Sequence, residues 1–122
     1  MTATAEEFFA RYRQALLDRD EQEMGRLYAV PALIVFPGQL VAVGDARTTE
    51  QFFASSWAQY DGVEDVDGKV EVAGEAPGTL WVDVTWSYGG QAREKFRYQL
   101  AETLDGHRIA VLTPLELDVT AA

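Results

Sequence analysis

The order of the sequence patterns along the chain constrains the fold more than any other feature. Patterns with helical spacing fill most of the first half of the 122 residues, and alternating β patterns fill the second half. Two short strands, residues 32–36 and 40–43, interrupt the helical half around the turn pair Pro37-Gly38. Both strands are apolar on both faces, so we expect both faces to be covered. Helices followed by a run of hairpin strands predict an α+β fold.

Three helices are predicted, each opened by a capping signature in which Thr or Asp precedes Glu or Gln by three positions. The three pairs are Thr4 with Glu7, Asp20 with Glu23, and Thr48 with Gln51. Pro31 is expected to end the second helix, because the residue before a proline disfavours helical geometry. Asp61-Gly62 is expected to end the third helix.

From Val63 onward the apolar residues alternate, which predicts strands joined by tight turns. The turn pairs are Pro77-Gly78, Gly89-Gly90 and Asp105-Gly106. If residues 89–91 form a three-residue loop, Trp86 faces Glu94 and the paired strands share one apolar face. If Asp105-Gly106 is a two-residue turn, Tyr98 faces Thr113 on that same apolar face. A β-meander with one apolar and one mixed face is therefore predicted.

Composition excludes several classes of function. The net charge of -10 disfavours nucleic acid and anionic membrane surfaces as partners, because both require clustered Lys and Arg. No Cys and a single histidine, His107 beside a hairpin turn, make a metal or metal cofactor unexpected. The first residues lack a signal-peptide pattern, so a cytoplasmic protein without a cofactor is expected. Arg outnumbers Lys, and Asn is absent, which is typical of a GC-rich bacterial genome.

The whole chain, taken as one domain of residues 1–122, resembles the cone-shaped, cystatin-like superfamily of NTF2-like and SnoaL-like proteins. This superfamily includes nuclear transport factor 2, ketosteroid isomerase, polyketide cyclases and limonene epoxide hydrolase. The residues that carry the resemblance, besides the meander, are Arg11-Tyr12, Ala15-Leu16, Asp18-Arg19-Asp20, Leu27-Tyr28-Ala29, Phe36-Pro37-Gly38 and Gly44. The resemblance implies three N-terminal helices on a strongly curved, mostly antiparallel sheet, with a pocket between them. Many members dimerise.

The resemblance to ketosteroid isomerase gives two residues a candidate role and removes another. Tyr12 stands in the pattern Arg-Tyr-x-x-Ala-Leu, where that enzyme has its oxyanion-hole tyrosine, and the enzyme's second donor falls near Tyr98. The catalytic aspartate of that enzyme precedes the proline at the end of the first strand, where this chain has Phe36. Phe36 cannot abstract a proton, so isomerase chemistry by that route is not expected.

Glu94 is the carboxylate best placed for chemistry, because the predicted register sets it on the pocket face beside Trp86. A carboxyl facing an apolar pocket suits acid–base catalysis, although Glu94 would be inert if it lay at a solvated end of the sheet. An enzyme would use Glu94 as acid or base, with Tyr12 and Tyr98 as donors. A binding site would be completed by Phe36, Trp57, Trp86 and Thr113.

The opposite face of the sheet suggests self-association. The predicted registers align Trp81, Gln99 and Leu112 in one row on that face, and a Trp among small and apolar neighbours is typical of an interface core. A two-fold homodimer is predicted through this row. Asp83 and Arg97 fall on the same face, where a cross-strand ion pair is expected.

Three functions remain open. The favoured one is a homodimeric domain that binds a small apolar or aromatic molecule in the pocket. The second is an enzyme of the cyclase, isomerase or hydrolase kind that uses Glu94. The third is a structural or interaction module whose own aromatic side chains fill the core. A pocket of roughly 300 Å³ or more would separate the first two from the third.

Overall fold

The computed structural model describes residues 2–36 and 38–117, with side chains from Thr4 onward. The helices are α1 (Thr2–Asp18), α2 (Glu21–Leu27) and α3 (Ala46–Ala54), followed by a 3₁₀-helix (Trp57–Tyr60). The strands are β1 (Tyr28–Phe36), β2 (Gln39–Val43), β3 (Val66–Ala76), β4 (Thr79–Tyr88), β5 (Gln91–Thr103) and β6 (Gly106–Leu115). No helix within the described ranges is long and apolar enough to cross a membrane.

The six strands form one curved sheet in the order β2-β1-β6-β5-β4-β3. All neighbouring strands pair antiparallel except β1 and β6, which are parallel. The apolar face of α1, which includes Phe9, Tyr12 and Leu16, packs into the same core as Val84 and Trp86 of β4. The predicted α+β fold with helices on the concave face of a curved sheet is therefore confirmed.

The predicted pairing of β4 with β5 is confirmed. Trp86 faces Glu94, Val84 faces Phe96 and Asp83 faces Arg97, as expected. The loop itself differs from the expected one, because Tyr88 and Gln91 close a two-residue Gly89-Gly90 turn. A bulge follows between Ala92 and Glu94, where one extra residue of β5 has no partner on β4. This extra residue compensates for the shorter turn, so the pairing from Trp86 and Glu94 onward keeps the predicted register.

The turn between β5 and β6 differs from the predicted one. Thr103 pairs with Gly106, so the turn residues are Leu104-Asp105 rather than Asp105-Gly106. This moves the register by two positions, which keeps each side chain near the turn on its predicted face because the side-chain period of a strand is two.

A bulge farther along β6 makes the predicted faces wrong from that point on. Ala110 has no partner on β5, and one extra residue exchanges the two faces of the strand beyond it. Leu112 therefore pairs with Tyr98 and lies buried on the concave face, whereas Thr113 pairs with Arg97 on the convex face.

The helix starts were predicted with mixed success. Asp20 caps α2 and accepts a hydrogen bond from the Glu23 backbone N–H at 3.1 Å, as predicted. The prediction that Thr4 caps the first helix is wrong, because α1 already begins at Thr2 and Thr4 lies inside it. The third is also wrong, because Asp45 caps α3 and accepts from the Thr48 backbone N–H at 2.9 Å.

Pro31 does not end a helix but lies inside β1, after a cis peptide bond from Val30. Residues 29–32 have no partner on β6, and pairing with β2 begins only at Ala32. Proline is tolerated at position 31 because no hydrogen bond between strands requires the N–H that it lacks. The β1–β2 hairpin is not covered on both faces: Val30 is 54% exposed, Leu33 38% and Leu40 72%. Pro37 lies outside the described residues.

Candidate functional site

A cavity of about 390 Å³ lies between the helices and the concave face of the sheet. Its lining is mostly aromatic, and α1, α3, the 3₁₀-helix and all strands except β3 contribute to it. The lining residues are Tyr12, Leu16, Phe36, Gln39, Phe52, Phe53, Ser55, Ser56, Gln59, Tyr60, Trp86, Tyr88, Glu94, Phe96, Tyr98 and Leu112. Burial distinguishes a closed end, which includes Tyr12, Trp86 and Tyr98, from a mouth with exposed Gln39 and Gln59.

A hydrogen-bonded group of aromatic side chains forms the closed end. The Trp86 indole N–H donates to the Tyr98 hydroxyl at 2.8 Å, and the Tyr12 and Tyr28 hydroxyls lie 2.9 Å apart. The Tyr12 and Trp86 rings are stacked, with centroids 5.5 Å apart. Burial raises the pKa of Tyr12, Tyr28 and Tyr98, so these buried tyrosines stay protonated and can donate hydrogen bonds.

Gly68 of β3 makes room for the Trp86 ring. The two residues are cross-strand partners, and a Cβ placed on Gly68 would lie 2.9 Å from Trp86 Cζ3. Such an approach is too close for a side chain on Gly68, so the ring position depends on glycine there. The closed end of the cavity is thus shaped from β3 as well as β4, although β3 does not line it.

A second polar group lies towards the mouth, around Glu94. The Tyr88 hydroxyl donates to Glu94 Oε2 at 2.7 Å and lies 3.4 Å from the Tyr60 hydroxyl. All three side chains are partly exposed. Burial, the nearby Tyr60 and the Glu94 carboxylate together raise the pKa of Tyr88, so its hydroxyl remains a neutral donor.

Arg19 anchors the segment after α3, which contributes Tyr60 to the cavity lining. Its guanidinium donates to the Leu17 carbonyl at 3.0 Å, to the Val63 carbonyl at 3.1 Å and to the Tyr60 carbonyl. The same guanidinium lies 5.8 Å from the centre of the Tyr60 ring, within cation–π range. Arg19 therefore fastens the end of α1 to the segment after α3.

The structure brings together most of the side chains predicted to form the site. Tyr12, Phe36, Trp86, Glu94 and Tyr98 all line the cavity. Tyr12 is placed by the long helix α1, Phe36 by the end of β1, and the other three by the confirmed pairing of β4 with β5.

Trp57 and Thr113, the other two predicted site residues, do not line the cavity. Trp57 packs beside the Phe53 and Tyr60 rings, but its indole N–H turns away to donate to Glu21 Oε1 at 2.9 Å. It lies in the 3₁₀-helix, because α3 ends at Ala54 and does not continue to the predicted end at Asp61-Gly62. Thr113 faces the convex side because of the β6 bulge.

Sequence reasoning missed three tyrosines. Tyr28 supports Tyr12 from behind the lining, and Tyr60 and Tyr88 build the polar group with Glu94. Tyr88 follows Trp86 by two positions in a strand, so alternation alone would have placed it on the same face. No local pattern indicates the pairing of Tyr28 with Tyr12, because the two residues lie in different elements and meet only in the folded core.

The convex row predicted for a dimer is partly present. Trp81 pairs with Gln99 as expected, and the row continues through Val111 to the exposed Leu33. Leu112, the third predicted member, is instead buried in the cavity wall. Next to this row, Arg97 makes the expected ion pair with Asp83. The pair is bidentate: Arg97 Nε donates to Oδ1 at 2.7 Å and Nη2 donates to Oδ2 at 2.9 Å.

The chemistry available in the cavity is that of neutral donors and one carboxylate. Within residues 2–36 and 38–117, no group of three or more His, Cys, Asp or Glu side chains is arranged to hold a metal ion. The site can therefore offer aromatic surface, phenol hydroxyl groups and Glu94 to a molecule that enters it.

Comparison with solved structures shows the NTF2-like fold. A provisionally assigned dehydratase of the NTF2-like family from Streptomyces avermitilis matches with TM-score 0.67 and 15% identity, covering 94% of this chain and 96% of that one. Aln2 from another Streptomyces strain matches with TM-score 0.69 and 14% identity, over 98% and 93% of the two chains. A de novo designed protein with a curved β-sheet matches with TM-score 0.65 and 11% identity, over 92% and 99%.

The chain therefore has the fold that the sequence resemblance implied. No family model matches the sequence, and no curated protein matches it either. At the identities found, the structural likeness defines the fold and leaves function to the site itself.

Proposed function

We propose that this protein binds a small apolar or aromatic molecule in the cavity between its helices and its sheet. The observation that carries the proposal is the cavity itself, which is open and measures about 390 Å³. Pockets for small molecules run from roughly 300 to 1,000 Å³. A module whose own aromatic side chains filled its core would not keep such a space, so the purely structural alternative is disfavoured.

The lining explains which molecules would bind. Nine aromatic side chains face the space, and burying a ring or alkyl group against them is favourable in proportion to the apolar area removed from water. Tyr12 and Tyr98 at the closed end can donate a hydrogen bond to a ligand oxygen. An apolar body with one or two polar groups therefore suits the site best.

The binding proposal is tested by filling the cavity from inside. Leu112→Trp adds bulk at the closed end, and Leu104→Trp makes the same change at a fully exposed turn. The neutral fluorescent probe N-phenyl-1-naphthylamine should bind the wild type and the Leu104 variant equally. We expect the Leu112 variant to bind it at least about tenfold more weakly, because the space is occupied.

Circular dichroism would verify that both variants are folded, and Ser56→Trp is a second cavity-filling variant. Native mass spectrometry of protein purified from its own host should also find a retained small molecule. Equal probe binding by a folded Leu112 variant and the wild type would contradict the proposal.

A second candidate function is catalysis by Glu94. Its carboxylate lines the cavity and accepts a hydrogen bond from Tyr88. It could accept a proton from a bound molecule and return a proton to it. Tyr12 and Tyr98 would stabilise an oxygen on which negative charge develops. The retained molecule, once identified, would be followed for conversion by the wild type and by Glu94→Gln. Unchanged conversion by Glu94→Gln would exclude this role.

We also propose that the protein forms a homodimer through its convex face. The row of Trp81, Gln99, Val111 and Leu33 supports this, because it places a large ring, one amide and two apolar side chains in line across four strands. Light scattering at micromolar concentration should give the dimer mass. Trp81→Glu should shift the protein towards monomer, whereas Gln51→Glu on the exposed surface of α3, away from the convex face, should not. A monomeric wild type would contradict the dimer.

A further inference from the structure

We infer that the molecule bound in the cavity carries a positively charged, ammonium-type group that is held next to Glu94. This inference rests on the proposed binding function and adds the chemical class of the ligand. It is carried by the charge of the lining and by the aromatic rings around the carboxylate.

Glu94 is the one formally charged side chain among the described residues that line the cavity. The ion pairs found within the described ranges involve other carboxylates, namely those of Glu23, Asp83 and Asp105. Arg19 lies behind the wall, with its guanidinium occupied by main-chain carbonyls. Glu94 therefore faces the cavity without a cationic partner from the described residues.

The hydrogen bonding of Glu94 leaves room for such a partner. Tyr88 donates to Oε2 at 2.7 Å, and this is the side-chain bond that the described residues supply to the carboxylate. Burial raises the pKa of both Tyr60 and Tyr88, so neither hydroxyl adds negative charge beside it. The rest of the partly exposed carboxylate is left to water, and an ammonium group would replace that water with a charge-assisted contact.

Aromatic rings surround the same carboxylate. Trp86 is the cross-strand partner of Glu94, and Phe96 follows it by two positions on the same face of β5. The Tyr60 and Tyr88 rings meet edge to face, with centroids 5.6 Å apart. Faces of aromatic rings attract cations, most strongly when water is excluded. A carboxylate bordered by aromatic rings is an arrangement that suits alkylammonium groups.

Other ligand classes fit this end of the cavity less well. An anion would be repelled by Glu94 and by a chain with a net charge of -10. A wholly apolar molecule would displace water from Glu94 without supplying a hydrogen bond or a positive charge, and desolvating a charged group in this way is unfavourable. A cation with an aromatic or alkyl body satisfies both the carboxylate and the rings.

The test compares two probes of the same shape that differ in charge. Phenyltrimethylammonium and tert-butylbenzene are isosteric, and their binding would be followed by the NMR shift of the Trp86 indole N–H. We expect the wild type to bind the cation at least about tenfold more tightly. Glu94→Gln, which keeps an acceptor for Tyr88, should reduce this preference to about threefold or less. Glu102→Gln removes the same charge from β5 outside the lining and should leave the preference unchanged.

The outcomes separate this inference from the proposed function. If both probes bind with equal affinity, the cavity binds ligands but the preference for a cation is refuted. A preference that persists in Glu94→Gln also refutes it, because Glu94 would not be the anchor. If neither probe binds and the Trp86 signal does not move, the proposed binding function fails together with the inference.

Discussion

Replacing Gly68 with alanine tests how tightly the closed end of the cavity is built. The new Cβ would lie 2.9 Å from Trp86 Cζ3, 3.2 Å from Cε3 and 3.3 Å from Cη2. The ring is 1% exposed and its N–H is bonded to Tyr98, so it cannot move away without disturbing other groups. Both the packing and the hydrogen bond are therefore affected.

The expected magnitude follows from opposing terms. Overpacking a well-filled core costs about 1–3 kcal/mol, and disturbing the Trp86–Tyr98 hydrogen bond adds about 1 kcal/mol. Removing glycine restricts the unfolded chain and returns about 0.4–1 kcal/mol. The net expectation is a decrease of about 1–3.5 kcal/mol in the free energy of unfolding.

Gly74→Ala is the matched control. Gly74 lies in the same strand and also faces a tryptophan, Trp81, but its added Cβ would lie 3.5 Å from that ring, an ordinary contact. Its free energy of unfolding should equal that of the wild type or exceed it by up to about 1 kcal/mol, because only the glycine term acts there. Urea denaturation of the three proteins, compared at equal m-values, gives the measurement. Gly68→Ala and Gly74→Ala of equal stability would refute the argument.

Three further predictions concern the helix cap, the hydrogen bond of Trp86 and the buried tyrosines. Asp45→Ala should lower the free energy of unfolding by about 1 kcal/mol, whereas Thr48→Ala, which keeps the backbone cap bond, should cost less; equal losses in urea denaturation would contradict this. Tyr98→Phe should cost about 1–3 kcal/mol, because it leaves the buried Trp86 N–H without an acceptor; an unchanged denaturation midpoint would argue against the bond. The raised pKa values of Tyr12, Tyr28 and Tyr98 stabilise the fold fully below the unfolded-state pKa of about 10, and this stability is lost as the pH rises above it. Absorbance at alkaline pH should show these tyrosines ionising only as the protein unfolds, and ordinary titration in the folded protein would contradict their burial.

The sequence allowed the β4–β5 pairing to be predicted because alternation and a charge pair agree on one register. Asp83 faces Arg97 only if Val84 also faces Phe96, so two independent patterns select the same offset. The β5–β6 pairing carried no such agreement. The bulge at Ala110 has no marker in the sequence, since neither Gly nor Pro stands there, and it exchanges the faces expected for the residues beyond it.

The site was predictable where regular periodicity continues and not where it changes. Tyr12 and Trp86 lie in a long helix and a long strand, so their faces follow from spacing. Trp57 was assigned by extending the α-helical spacing past Ala54, where the chain instead enters a 3₁₀-helix with three residues per turn. That change of geometry turns its indole N–H towards Glu21 and out of the cavity.

Because Ala110 has no partner on β5, the chain can lose a residue there without rearranging the lining of the cavity. Loss of this single codon would join Ile109 directly to Val111, and both would keep their present partners on β5, so Leu112 would stay beside Tyr98. The strand would lose a local bend, but the same side chains would still line the cavity. A one-codon loss within β4, where every residue is paired with β5, would instead turn inward-facing side chains outward. Related chains are therefore expected to vary in length at the bulge and to keep β4 free of gaps.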